Sequence, residues 1–335
     1  PEERRRGITI EPGYTFMRGD GAPAIGFVDV PGHEKLVHAM VAGASGIDFA
    51  LLPVAADDGV MPQTIEHLAI LALLGVSRGA AVLTKADRGD AAALARCEAQ
   101  ARALLHRHGR GDWPVLAVSA VELTGIERLR ELLRSEAGRP PAGGDPAAGF
   151  RMPLDRVFAV DGIGTVVAGA IAAGRVRIGD TLVLAHAPGR ALRVRSLQSH
   201  GEAVDTAGPG ERCAVGLVGV ARDDVERGHV LCASAIALQS QRLDVRLQVA
   251  PTQGRALGSG TRVHLHLGTQ KRMATVVVLG AAAVDPGREG FAQLVLRAPL
   301  HAWQGDRFVL RDASASHTIG GGAVLAVDAP ARYRQ

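Results

Sequence analysis

The periodicity of the chain changes once, across a stretch with no pattern for packing. Residues 139–149, RPPAGGDPAAG, are rich in proline, glycine and alanine and carry no apolar period, which predicts a linker. Before it, short apolar runs alternate with helical spacing. Strands are predicted over 24–30, 49–56, 80–83 and 115–118, and helices over 34–43, 62–74, 91–108 and 125–137. That alternation predicts a parallel sheet covered on both faces, with ligands at the carboxyl ends of its strands. Pro53 is a misfit in this scheme, because proline cannot donate to a sheet ladder. After the linker the pattern is all β. Val- and Leu-rich runs broken by glycine turns fall at 157–160, 165–171, 181–184, 192–197 and 213–218. A second set falls at 243–249, 262–267, 274–279, 292–296 and 307–310. The expected architecture is an α/β domain over 1–138, the linker, and two small β-barrels over 150–236 and 237–335.

Composition narrows the choice. The chain is 47% hydrophobic but only 3% aromatic, so its cores must be aliphatic. It has no apolar run of about 18 residues, so no membrane span is expected. Cys97, Cys213 and Cys232 are odd in number and scattered, which fits neither a disulfide framework nor a metal-ligand spacing and predicts buried reduced thiols. A net charge of +4 is compatible with an anionic partner such as RNA. All but three of the 38 basic side chains are arginine, so the lysines stand out: Lys35, Lys85 and Lys271.

Two motifs end predicted strands. Asp29-Val30-Pro31-Gly32-His33 offers a carboxylate that can hold Mg²⁺ through water, and a glycine amide that a γ-phosphate can approach. His33 is placed to position an attacking water, and Thr9 upstream offers a hydroxyl for Mg²⁺. Thr84-Lys85-Ala86-Asp87 offers a carboxylate that can accept both guanine N–H groups and a lysine stem to lie over the base. Ser119-Ala120, at the next strand end, offers backbone amides for the base oxygen. Alone, each fits an ordinary turn, a plain strand residue or a charged loop. Their order and spacing together specify a GTP site. The usual phosphate grip, a glycine-rich loop ending Gly-Lys-Ser/Thr, has no counterpart, since residues 1–335 contain no Gly-Lys dipeptide. Gly162, Gly164 and Gly169 imitate a dinucleotide loop, but the β-branched run Thr165-Val166-Val167 predicts a hairpin instead.

These residues resemble a translational GTPase of the elongation factor Tu class. PEERRRGITI (1–10) is similar to its first switch. DVPGHEKLVHAMVAGASGIDFALLPVAADDGVMPQTIEHL (29–68) is similar to its second switch, with the next strand and helix. DRVFAVDGIGTVVAGAI (155–171) and GERCAVGLVG (210–219) are similar to its second domain. The DVPGHEK form, TKAD in place of the usual NKCD, and LRDASASHTIGGG (310–322) direct the likeness to the bacterial selenocysteine-specific branch.

The resemblance implies a P-loop-type GTPase domain followed by two β-barrels, with GTP/GDP and Mg²⁺ as ligands. It implies Thr9 and Asp29 at Mg²⁺, Gly32 at the γ-phosphate, His33 in water attack, and Lys85, Asp87, Ser119 and Ala120 around guanine. It places an aminoacyl pocket at Asp155, Arg156 and Arg212, where guanidinium groups would favour a selenolate over a serine hydroxyl. It implies selenocysteinyl-tRNA and the ribosome as partners, GTP hydrolysis as the family activity, a cytoplasmic location and a monomer. The family's first strand, phosphate loop and first helix would precede Pro1, and its mRNA-hairpin-binding region would follow the second barrel. The expectation is therefore a fragment with impaired nucleotide binding and a gap in its sheet. The alternatives are a paralogue for ordinary aminoacyl-tRNA and a non-catalytic tRNA-binding module.

Overall fold

The computed structural model describes residues 9, 11–19, 22–33, 36–139 and 144–331. The switch-like segment 1–10 other than Thr9, the predicted helix start at 34–35, and linker residues 140–143 lie outside the described residues. The chain forms two compact units. One comprises 14–27 and 47–140, the other 1–13, 28–46 and 141–335.

The smaller unit is built on a three-stranded parallel sheet, β3 (Ala50–Ala55), β4 (Gly79–Thr84) and β5 (Val115–Ala117), in that order. Central β4 is buried along almost its whole length, as a strand covered on both faces must be. Pro53 is no longer anomalous: β3 is an edge strand of this sheet and Pro53 is exposed on it. The helices are α2 (Pro62–Leu73), α3 (Ala91–Arg107) and α4 (Ile126–Ala137). Pro62 opens α2, where a missing N–H costs nothing. The Asp90 side chain caps α3 by accepting the Ala93 amide at 2.6 Å.

The strand that leads to Asp29, β2 (Ala22–Asp29), does not join this sheet. It pairs instead with β1 (Gly13–Gly19) in a two-stranded sheet. The single parallel sheet expected from the alternation is thus two ladders. Helix α1 (Val37–Ala44) follows β2 and is buried along nearly every residue. Its Gly43 lies against Val28 and Val30: a Cβ there would come within 2.8 Å of the Val30 side chain.

The larger unit holds both β regions. In the first, β6 (Arg151–Pro153), β7 (Arg156–Val160), β8 (Gly164–Ala170), β10 (Thr181–Leu184), β11 (Ala187–Ser199), β14 (Arg212–Val218) and β15 (Val230–Cys232) form the ladder β6-β15-β10-β11-β14-β8-β7, with β12 (Glu202–Ala203) added to β11. A small side pair joins β9 (Val176–Arg177) and β13 (Thr206–Ala207). A bridge from Arg151 to Ala173 brings the chain after β8 back to β6, rounding the ladder about an aliphatic core that includes Met152, Val167, Leu192, Val215 and Leu231. The Gly162–Gly164 segment is the β7–β8 hairpin turn, with φ of 77° and 94° at its two glycines. Cys97, Cys213 and Cys232 are buried thiols, and burial pushes Cys213 and Cys232 up to about 11.

The second β region is a closed barrel of β16 (Ser240–Val249), β18 (Arg262–Leu267), β19 (Gln270–Leu279), β21 (Glu289–Leu300), β22 (Arg307–Asp312) and β23 (Thr318–Val327), ordered β16-β21-β19-β18-β22-β23. A short pair, β17 (Leu257–Gly258) and β20 (Ala283–Val284), lies beside it. The glycines at 320–322 belong to β23, where it closes on β16. A Cβ on Gly322 would run into the Arg246 carbonyl, and one on Gly320 into the Gln248 carbonyl. Arg151 of the first β region forms a fork on Asp306 of the second at 2.6 and 2.7 Å, with both side chains largely buried.

Candidate functional site

Three parallel strands of the smaller unit end side by side, and their carboxyl ends carry the base-side candidates. After β4, Lys85 takes a left-handed backbone (φ 54°), and the Ala86 amide donates to the Val118 carbonyl at 3.1 Å, tying this turn to the end of β5. Ser119 is fully buried. Its hydroxyl donates to the Asp87 carboxylate at 2.5 Å and accepts the Val121 and Glu122 amides at 3.2 and 3.1 Å. This hydrogen bond is the main reason the Asp87 carboxyl lies below the usual carboxylate range. Asp87 is therefore ionised at neutral pH and fixed in orientation, as a double acceptor of guanine N–H groups must be. Ala120 follows at the surface. Gly125 closes the loop with φ 71°, and a Cβ there would collide with the Ala117 carbonyl, so only glycine fits.

The sequence reading missed one neighbour of this row. Lys85 Nζ donates to both carboxylate oxygens of Asp57, at 3.1 and 3.2 Å, and lies 3.7 Å from Asp58. Asp57 follows β3, the strand paired with β4. The signal available was an acidic doublet directly after the apolar run of a predicted strand.

The γ-phosphate-side candidates lie in the other unit. Asp29 ends β2 and is exposed, Pro31 is buried, Gly32 is exposed and His33 is half-buried. Among the described residues, a Cβ on Gly32 would meet nothing within 4 Å. The His33 carbonyl accepts the Leu36 amide at 2.8 Å, leading into α1. Thr9 is half-buried and in no strand. Among the described residues no cluster of three or more His, Cys, Asp or Glu side chains could hold a metal on its own. A threonine hydroxyl and one carboxylate are hard oxygen donors of the kind Mg²⁺ takes together with waters and phosphate oxygens, so the donor set fits that ion.

The third group gathers at one end of β8. Arg156 begins β7 opposite Ala168, and Arg212 begins β14 opposite Ala170, so the two arginines flank β8 from its two neighbouring strands. Arg212 forms a fork on Asp155, with Nε 3.1 Å from Oδ2 and Nη2 2.6 Å from Oδ1. Arg156 donates to the Pro12 carbonyl at 3.3 Å. Asp155 is thus an anchor for Arg212.

Comparison with known proteins matches this layout. Residues 1–138 match the elongation factor Tu GTP binding domain, residues 164–232 elongation factor Tu domain 2, and residues 243–331 the β-barrel domain of selenocysteine-specific elongation factor. Elongation factor Tu 2 of Streptomyces avermitilis is 32% identical over 98% of this chain and 86% of its own length. The chain belongs to the elongation factor Tu family of translation factors. Within that family it falls with the selenocysteine-specific elongation factors. That of Escherichia coli is 38% identical over 100% of this chain and 52% of its own length. A crystal structure of a bacterial selenocysteine-specific elongation factor superposes with a TM-score of 0.85 at 29% identity, over 96% of this chain and 53% of that one. The chain spans about half the length of the curated selenocysteine-specific relatives it matches.

Proposed function

We propose that this chain is the nucleotide- and tRNA-binding part of an elongation factor that binds GTP with Mg²⁺ and delivers selenocysteinyl-tRNA to the ribosome. The domains would run 1–138 (GTPase), 150–236 (aminoacyl-binding barrel) and 237–335 (second barrel), joined by the linker 139–149, in a cytoplasmic protein. Asp87, with Lys85, Ser119 and Ala120, would hold guanine. Thr9 and Asp29 would serve Mg²⁺, which supplies charge neutralisation on the phosphates when bound. Gly32 would admit the γ-phosphate and His33 would orient water. Residues 1–335 contain no Gly-Lys grip, so this stretch by itself would hold nucleotide weakly.

The observation that carries the choice of aminoacyl group is the pair of arginines flanking β8, one of them forked on Asp155. A selenol is largely ionised at neutral pH, and a fixed guanidinium favours that anion over a neutral hydroxyl. The test is binding of one tRNA charged with selenocysteine or with serine. Wild type is expected to prefer the selenocysteinyl form, and Arg212→Ala and Arg156→Ala to lose that preference. An unchanged ratio in both variants refutes the reading. A second reading, a factor for ordinary aminoacyl-tRNA, is favoured by the 86% coverage of an elongation factor Tu. It predicts equal binding of both charged forms by wild type.

A further inference from the structure

We propose that Asp57 is a positioning residue for guanine recognition: it holds the Lys85 side chain where its stem can cover the base. The proposal rests on the nucleotide reading above and deepens it by adding a residue from a third strand end.

The geometry is built by the sheet. Strands β3 and β4 run parallel in register, Ala55 opposite Thr84, and the Ala56 amide donates to the Thr84 carbonyl at 2.9 Å, so the two chains stay paired as they leave the sheet. The Asp58 and Gly59 amides then return to the Ala55 carbonyl at 3.1 and 2.8 Å, a tight turn that presents Asp57 beside the β4 end. Lys85 arrives there from a left-handed backbone. Its ammonium bonds both Asp57 oxygens, and Arg88 approaches the same carboxylate at 3.6 Å. The side chains are 42% and 29% exposed, so the pair does little for the stability of the fold. Its effect is on position. A free lysine stem samples many rotamers and must be ordered when a ligand arrives, whereas one whose head is already anchored binds at lower entropic cost.

Asp87 and Lys85 thereby become two prearranged halves of one reader, Asp87 fixed from the β5 side by Ser119 and Lys85 from the β3 side by Asp57. Asp57 has no role in the hydrogen-bond code itself. Its removal should weaken binding of guanine and of hypoxanthine alike.

Two measurements on the full chain test this, and the first needs no nucleotide. The chain has only three lysines, so acylation of each amine can be followed by mass spectrometry, with exposed Lys271 as internal reference. Lys85 should react about 5-fold more slowly than Lys271, because its donors are held on a carboxylate. Asp57→Asn should bring the two within about 2-fold, while Asp58→Asn should not. An unchanged Lys85 rate in Asp57→Asn overturns the proposal.

The second measurement is titration with GDP and with IDP in the presence of Mg²⁺. Asp57→Asn should bind both about 3- to 10-fold more weakly than wild type, at an unchanged GDP/IDP ratio, and should add nothing to Lys85→Ala. Unchanged affinity overturns the proposal even if acylation responds. Because residues 1–335 are expected to hold nucleotide weakly, the titration runs to saturating, millimolar nucleotide; a wild-type chain that shows no GDP binding there, and no GDP protection of Lys85, overturns the nucleotide reading and the proposal together.

Discussion

Arg212 and Asp155 form a two-point fork, Nε to Oδ2 at 3.1 Å and Nη2 to Oδ1 at 2.6 Å, with the Asp155 side chain only 9% exposed. Removing the arginine leaves a nearly buried carboxylate unpaired. Arg212→Ala should therefore cost about 2–3 kcal/mol, and Arg212→Lys a large part of that because an ammonium cannot make the fork. Urea unfolding checks both, and Asp155→Ala combined with Arg212→Ala should cost less than the sum of the single changes.

Ser119 serves Asp87 in the same way that Asp155 serves Arg212. Its hydroxyl is the leading cause of the lowered Asp87 pKa, so Ser119→Ala should move the Asp87 titration upward toward the ordinary carboxylate range, readable by NMR. The hydroxyl also accepts two amides from the following turn, and their loss should cost about 1 kcal/mol of stability.

Arg151 and Asp306 link the two β regions, and Asp306 also accepts the Trp303 amide at 2.8 Å. Asp306→Ala should destabilise by about 3 kcal/mol. It should also loosen the coupling between the regions, so that one calorimetric transition of the β part broadens or divides into two.

His266 sets a pH dependence. Burial is the main cause, followed by the positive charges of Lys271 and Arg311 and the rings of His38 and His264; together they pull it down to about 3. Its folded pKa lies below its unfolded one, so the unfolded chain binds the extra proton. The stability from neutral His266 is complete above the unfolded value, near 6.5, and is lost as pH falls from there toward 3. The slope from this group should approach about 1.4 kcal/mol per pH unit in mid-window. Denaturation of wild type and His266→Gln between about pH 7 and 4 checks it: the variant should show the shallower dependence.

Much of this was legible in sequence because the signals are local. Apolar runs marked β3, β4 and β5, and helical spacing marked α2, α3 and α4. Pro53 stood as a misfit in the sequence because its strand was expected to be buried on both faces; its place on an edge strand is a matter of pairing. What escaped depended on contacts far along the chain. Strand β23 carries three consecutive glycines near its start, which have no β propensity; it is a strand because β16 and β22 pair with it on either side. That β2 would leave the parallel sheet for β1 is a choice of partner, which periodicity does not record. Among the candidate residues, Asp29, Lys85 and Asp87 stood out as motif letters and Ser119 by its place at the end of the next predicted strand. Asp57 was not, because its meaning lies in a parallel pairing between segments 28 positions apart.

The seam between β23 and β16 also sets an order of events. Barrel closure joins Leu243 to Val327, the first strand to the last, and the glycines that permit so close an approach sit at that joint. On a chain made from its N-terminus, β16 is finished long before its second partner exists. One of its edges stays unpaired until the final strand emerges, and it is then that such edges pair with the wrong chain. Residues 318–327 thus act as the latch of the barrel, and a substitution at Gly322 should show itself first in the yield of soluble protein, before any property of the folded molecule.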